Sequence, residues 1–288
     1  MPTPSEPPFR SIAIVGLGLI GGSIALAIRD RWPASLVIAV DSPPVLAHAV
    51  GSGAIDRVSE NVTTLREADL VVLAAPVRQN IQLLGEIGES LPGPLVVTDV
   101  GGTKQAIVSA ARALPASVTF VGGHPLGGAE RGGFAFARSD LFAGRPWIFA
   151  PDGEGSTDAL ARLSQFVAGL GARPITMDPA VHDRLMAFVS HVPQLAATAL
   201  MDIVGTTAGK DGLALAGQGL VDTTRLASSP APVWRDICET NADAIGAALD
   251  LLIARLTEVR ADLRHSDALD RMFDAAARWR AELMKGRD

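Results

Sequence analysis

Residues 11–31 read SIAIVGLGLIGGSIALAIRDR, and this stretch decides the fold. An apolar run, Ser11–Val15, leads directly into Gly16-Leu17-Gly18-Leu19-Ile20-Gly21, and a helical pattern follows. In such a strand–turn–helix unit the first glycine allows the tight turn. The second lets the backbone approach a pyrophosphate, and the third lets helix and strand pack closely. The helix N-terminus supplies amide donors and positive potential. Twenty residues after Gly21, Asp41 closes a second apolar run, Leu36–Val40. A carboxylate at that place can hold a ribose diol. No Arg follows in Ser42-Pro43-Pro44, and a 2′-phosphate would face negative charge. The pattern therefore favours NAD over NADP, with Gly16, Gly18, Leu19, Ile20, Gly21 and Asp41 as cofactor-binding residues.

Outward from this unit, short β-branched runs alternate with amphipathic stretches. Strands are expected at Ser11–Val15, Leu36–Val40, Leu70–Ala74, Leu95–Thr98, Thr119–Val121, Trp147–Phe149 and Pro174–Met177. Alternation of this kind predicts an α/β domain with a mainly parallel sheet covered by helices on both faces. Residues 1–10 contain four prolines and read as a flexible tail. The pattern changes at Asp178-Pro179, an N-cap followed by a proline suited to the first helical position. Beyond it only helices are expected, over 180–204, 239–264 and 266–284. The predicted organisation is a dinucleotide-binding, Rossmann-type domain over 11–178 and an all-helical substrate and dimerisation domain over 179–288. Within 239–264, Ile245, Leu249, Leu252, Leu256, Val259 and Leu263 form an a/d seam. That seam serves either an intramolecular bundle or, as expected here, a homodimer.

Composition narrows the function. Among 288 residues, 25 Lys and Arg against 31 Asp and Glu leave a net charge of −6, which gives no basic footprint for nucleic acid. The single cysteine, Cys238, cannot form an internal disulfide or a multi-thiolate metal site, and no metal is expected. No tyrosine is present, so a tyrosine general acid is excluded. The apolar stretch 12–28 resembles a leader or short span, but its glycines and the charges of Arg29-Asp30-Arg31 favour a buried strand and helix. A cytoplasmic protein with no membrane partner is expected.

Three further segments sit at expected strand ends, where open α/β sheets bind ligands. They are Ala74-Ala75-Pro76, Asp99-Val100-Gly101-Gly102-Thr103-Lys104, and Gly122-Gly123-His124-Pro125 running on to Glu130. Ala75, Pro76 and Asp99 are added to the cofactor-binding set on this ground. His124, between a glycine pair and a proline, is the sharpest of the five histidines. Another, His191, lies in Ser190-His191-Val192-Pro193-Gln194 inside a helix that Pro193 should kink.

Taken together, GLGLIGGS, DVGGTK, GGHPLGGAE, SHVPQ and TTRLA…VWRDI resemble, in order, the prephenate/arogenate (cyclohexadienyl) dehydrogenase family of tyrosine biosynthesis. The resemblance implies an NAD-dependent oxidative decarboxylation: hydride leaves ring C4 of a cyclohexadienyl acid, CO2 departs and the ring becomes aromatic. It implies His124, Ser190 and His191 as catalytic residues, with His124 accepting the hydroxyl proton. It implies Arg225 as the grip on a substrate carboxylate, with Gln194, Glu130, Trp234, Gly102 and Thr103 around the substrate. Gly102 stands where the family usually has a serine, whose part falls to Thr103 or to water. Gln194 stands where many prephenate-using members have histidine; its neutral amide implies that arogenate is accepted. No separate regulatory domain is expected. Two rival readings remain. A β-hydroxyacid dehydrogenase type would need a lysine within 180–204, which has none. A non-catalytic NAD-binding protein would not need His124 and Arg225 together.

Overall fold

In the computed structural model, which describes residues 6–91, 93–128, 131–264 and 267–285, strands and helices alternate as the sequence predicts. The strands are β1 (Ser11–Val15), β2 (Leu36–Val40), β3 (Arg57–Val58), β4 (Leu70–Leu73), β5 (Leu95–Asp99), β6 (Val118–Pro125), β7 (Pro146–Ala150) and β8 (Arg173–Thr176). They form one sheet in the order β3-β2-β1-β4-β5-β6-β7-β8. Every pair is parallel except β6 with β7. The inner strands β4 and β5 are buried throughout, which is why Leu70–Leu73 and Leu95–Val97 are apolar runs without alternation, followed in β5 by the buried Thr98 and Asp99. The chain reverses strand order between β1 and β4, and that switch point opens a crevice at the strands' C-terminal ends.

Among the described residues, five α-helices accompany the strands: α1 (Leu19–Arg31), α2 (Pro43–Gly51), α3 (Val77–Ser90), α4 (Gln105–Ala111) and α5 (Thr157–Gly169). The stretch 12–28 is thus β1 and α1, with Ile12, Ile14, Ile24 and Ile28 wholly buried. Of the expected flexible tail, residues 1–5 lie outside the described residues, and its last residues are packed down. Phe9 is only 1% exposed; it meets Phe166 edge-on and lies under the Arg162 guanidinium, whose Nη2 donates to the Pro8 carbonyl. Burial of one such ring is worth about 1.5–3 kcal/mol, enough to hold this short segment down.

The helical part runs α6 (Pro179–Met186), a π-helical turn (Ala187–His191), α7 (Val192–Ala214), α8 (Gln218–Thr223), α9 (Ala231–Thr240), α10 (Ala242–Asp262) and α11 (Asp267–Met284). Asp178 caps α6 by accepting from the Ala180 and Val181 amides. The π-helical turn falls just before Pro193, where the ring removes a regular helical bond. Asn241 interrupts the expected 239–264 helix, which starts at Ala242 instead. The run 179–214 is apolar and long enough to cross a membrane by length and composition alone, yet His182 and Asp183 in its first turns are fully buried.

Two compact units are present, Met1–Ala242 and Asp243–Asp288, so the compact division does not coincide with the change of pattern at Asp178-Pro179. The reason is local. Asp183 on α6 accepts from the amides of Lys104 and Gln105 at the start of α4, which fastens the first helices of the helical part to the sheet domain. In the second unit Asp262 caps α11 through the Ala268 and Leu269 amides.

Candidate active site

The β1–α1 turn has the geometry that its glycines require. Gly16 adopts φ +95°, and a Cβ there would lie 2.8 Å from the Ala74 carbonyl carbon. At Gly21 a Cβ would lie only 1.9 Å from the Gly16 oxygen. Gly18 is different: a Cβ there would meet nothing within 4 Å, so this backbone faces open space. The Asp41 carboxylate is pinned at 2.6 Å by the Leu17 amide and at 2.6 Å by the Ser42 amide. Its remaining lone pairs are free to accept from a diol.

Two cavities meet at Gly18, Ala74, Ala75 and Pro76. One, of about 480 Å³, holds Asp41, Glu60 and Glu86 and has no Lys or Arg in its lining. The other, of about 330 Å³, is mostly apolar and is lined by Leu19, Ile20, Gly101, Gly102, Val233, Asp236 and Ile237. The residues present therefore fit a dinucleotide with an unphosphorylated ribose: a backbone cradle at Gly18, a carboxylate for the diol and an apolar slot beyond. The α9 side chains of this slot were not anticipated from sequence. Helix α9 is tied to α3 by Arg78, whose Nη1 meets the Glu239 carboxylate at 2.5 Å.

Beside this crevice lies a buried polar cluster. Lys104 Nζ meets both oxygens of Asp99, at 2.6 and 2.5 Å, and donates to the Gly123 carbonyl at 2.7 Å. Asp99 also accepts from the amides of Gly101 and Gly123, at 2.8 and 3.0 Å. One carboxylate thus joins the loop that lines the apolar slot to the strand that carries His124. Burial holds the Lys104 ammonium below its ordinary pKa despite the partner charge.

His124 is half-buried on β6, in the antiparallel register His124↔Ile148. Its Nδ1 lies 2.9 Å from Nε2 of His182, and His182 Nδ1 lies 2.8 Å from Asp183 Oδ1. Burial, then the neighbouring His182, Lys104 and His191, push the His124 pKa well below its ordinary value. Burial alone would raise the Asp183 carboxyl; hydrogen bonds from His182 and the Gln105 and Lys104 amides carry it below the usual carboxylate value. His191 is 1% exposed, and burial lowers its pKa to about 4. Asn241 Nδ2 donates to the Asp183 carbonyl and lies 3.2 Å from His191 Nδ1. Neutral His191 therefore carries its proton on Nε2 and offers a donor, not a base.

Residues 24–176 match the family model "Prephenate dehydrogenase, nucleotide-binding domain", and residues 178–275 match "Prephenate dehydrogenase, dimerization domain". The chain belongs to the prephenate dehydrogenase family. It is 35% identical over 278 residues to the prephenate dehydrogenase of Bacillus subtilis (strain 168), which covers 94% of this chain and 75% of that protein. It is 30% identical to the cyclohexadienyl dehydrogenase of Zymomonas mobilis, with 90% of each covered. The prephenate dehydrogenase from A. aeolicus, in complex with hydroxyphenyl propionate and NAD+, superposes with a TM-score of 0.88 at 26% identity, covering 95% of this chain and 98% of that one. Synechocystis arogenate dehydrogenase gives 0.79 at 26% identity, covering 95% and 99%. The resemblance read from the motifs is therefore correct, and the chain is an oxidoreductase of this family. Neither the β-hydroxyacid alternative nor the non-catalytic one is favoured.

Several residues expected in the family site sit otherwise. Asp99 is wholly buried in its ion pair, so it shapes the crevice and offers no face to a cofactor. Thr103 is also wholly buried, its hydroxyl 2.8 Å from that of Thr240, so it does not replace the family serine. Gly102 lines the apolar slot with no side chain to offer. Ser190 is exposed and has no hydrogen-bond partner among the described residues, because the π-helical turn leaves it on the outer side of the run. Gln194 is 4% exposed and fully engaged: its Nε2 donates to the Leu226 carbonyl and Thr198 Oγ1, and its Oε1 accepts from Ser229. It braces the turn after Arg225 and has no amide group to spare for a substrate side chain. Arg225 is exposed, and its guanidinium has no partner among the described residues. Trp234 packs edge-on against His191. Glu130 lies outside the described residues. The pair His182-Asp183 was missed, although an adjacent His-Asp one turn after a helix cap was visible in the sequence.

Proposed function

We propose that this chain catalyses the NAD-dependent oxidative decarboxylation of prephenate, arogenate or both. The observation that carries the reading is His124: an imidazole held at Nδ1, kept neutral by its surroundings and stitched through Asp99 to the loop of the cofactor crevice. The cofactor is NAD, consistent with an acidic ribose cavity free of Lys and Arg. When bound, its nicotinamide supplies the acceptor for the hydride from ring C4.

The protein's own residues do the rest. Asp41 accepts from the ribose diol, and the Gly18 backbone makes room for the diphosphate. His124 Nε2 takes the proton of the C4 hydroxyl as the C4–H pair leaves, so that a C4 carbonyl forms. Loss of CO2 from the opposite ring carbon returns its electron pair through the ring to that oxygen, which regains a proton as a phenol. Arg225 grips a substrate carboxylate with its planar fork. His191, a neutral donor, and Trp234 line the substrate side. Gln194 acts on Arg225 through the turn that it braces.

A second copy of this chain is the proposed partner. Leu251, Ile253 and Leu256 on α10, Leu263 just after it, and Phe273 and Trp279 on α11 are each more than half exposed, a larger apolar surface than a solitary unit usually leaves. Light scattering of the intact protein tests this: a dimer supports it and a stable active monomer contradicts it. A cytoplasmic location fits the single cysteine and the folded 12–28 segment. Steady-state kinetics with prephenate and with arogenate, each with NAD and NADP, tests the function. Turnover of at least one acid with NAD is expected; turnover of neither would overturn the reading.

A further inference from the structure

We infer that His182, held by Asp183, is a positioning residue that sets the tautomer of His124 and so leaves His124 Nε2 free to accept a proton. The inference rests on the reading of His124 as proton acceptor and adds the device that prepares it.

An ionised carboxylate can only accept, and Asp183 already accepts from two backbone amides, Lys104 at 2.7 Å and Gln105 at 2.9 Å. The His182 Nδ1 that lies 2.8 Å from Asp183 Oδ1 must therefore be the donor. With its one proton placed there, His182 presents a lone pair on Nε2 to His124 Nδ1 at 2.9 Å. His124 Nδ1 must carry the hydrogen, so its Nε2 carries none. Both His182 and Asp183 are completely buried, so water does not scramble the order. The charged and titratable groups around His124 are Lys104 and Asp99 from the β5–α4 segment, His182 and Asp183 from α6, and His191 from the π-helical turn. With Asp99 paired to Lys104 and His191 neutral, Asp183 is the group that fixes the direction of the chain. Neither Gly102, which has no side chain, nor Thr103, whose hydroxyl meets that of Thr240, offers a hydroxyl to orient His124, and His182 does it instead.

The direct test is the wild-type enzyme with NAD bound, its histidine ring nitrogens labelled with 15N and read by two-bond proton correlation. His124→Asn and His182→Gln assign the signals. Both rings are expected as Nδ1–H tautomers near neutral pH; a His124 protonated at Nε2 overturns the inference whether or not any variant folds. Asp183→Asn supplies the kinetic test. Its amide has one acceptor atom where the carboxylate has two, so it cannot accept from Lys104, Gln105 and His182 together, and without the negative charge it no longer fixes the hydrogen on His182 Nδ1. With prephenate and NAD, kcat should fall by about 10²–10⁴-fold while KM for prephenate and Kd for NAD move by less than about threefold. If His124→Asn retains wild-type kcat, the reading of His124 and this inference both fall. If His124→Asn is inactive while Asp183→Asn and His182→Gln keep wild-type kcat and pH profile, only the positioning role falls.

Discussion

Asp99 and Lys104 meet at 2.5 Å with neither side chain exposed to solvent. Removing the positive partner would leave a buried carboxylate with only amide donors. Lys104→Met should cost about 3–5 kcal/mol of stability, the usual penalty for breaking a buried ion pair from one side. Urea unfolding followed by tryptophan fluorescence checks it. A loss under about 1 kcal/mol would mean that the pair is not a keystone between the Gly101 loop and β6.

Cofactor choice should lie with Asp41. Its carboxylate, with Glu60 and Glu86 in the same cavity, opposes a 2′-phosphate. The wild type should favour NAD over NADP in kcat/KM, and Asp41→Ser should narrow that preference by about tenfold or more. Equal use of both cofactors by the wild type would contradict the assignment.

Gln194 should act on substrate binding through Arg225. Gln194→Ala removes the bonds to Leu226 and Ser229 and loosens the turn that follows the arginine. KM for prephenate should rise, in the direction of the roughly 10- to 100-fold loss expected for Arg225→Ala, which removes a charge-assisted bond. NAD affinity should not move in either variant. A changed preference between prephenate and arogenate in Gln194→Ala, with KM otherwise intact, would instead put the amide against the substrate.

The buried histidines set an acid limit on stability. His191 has a folded pKa of about 4 against an ordinary 6.5, so between those values the unfolded chain binds the proton that the folded chain excludes. Stability should therefore fall as pH drops from about 6.5 towards 4, and His124 adds to the same slope. Urea midpoints measured across that range should decline, and His191→Asn should flatten the decline. A midpoint independent of pH there would show that neither ring is held neutral.

What was legible in the sequence was what lies close along the chain. The β1–α1 turn and Asp41 follow from local spacing, because a glycine turn and a strand-end carboxylate are set by their own neighbours. The α6 cap at Asp178 is visible for the same reason. The two-residue edge strand Arg57–Val58 carries no periodicity to detect. The His124–His182 contact spans 58 positions, and the Gln194–Leu226 bond spans 32. Neither has a sequence signature, so Gln194 read as a substrate contact when it is a brace. Asp99 misled for a related reason: a carboxylate at a strand end in this fold ordinarily faces the ligand, but here Lys104, five residues on, turns it inward. Phe9 was hidden among prolines, where composition suggests looseness and one buried ring decides otherwise.

On this reading His124 takes the substrate's hydroxyl proton. The most direct measurement is kcat with prephenate and NAD as a function of pH, for wild type and His124→Asn. Wild-type kcat should hold steady from neutral pH down to below about 6.5 and fall only under it, since burial lowers the pKa of His124. His124→Asn should lose about 10²–10⁴-fold in kcat and lose that acid limb, with NAD binding unchanged. A variant that keeps more than about a tenth of wild-type kcat, with the same acid limb, would contradict the claim.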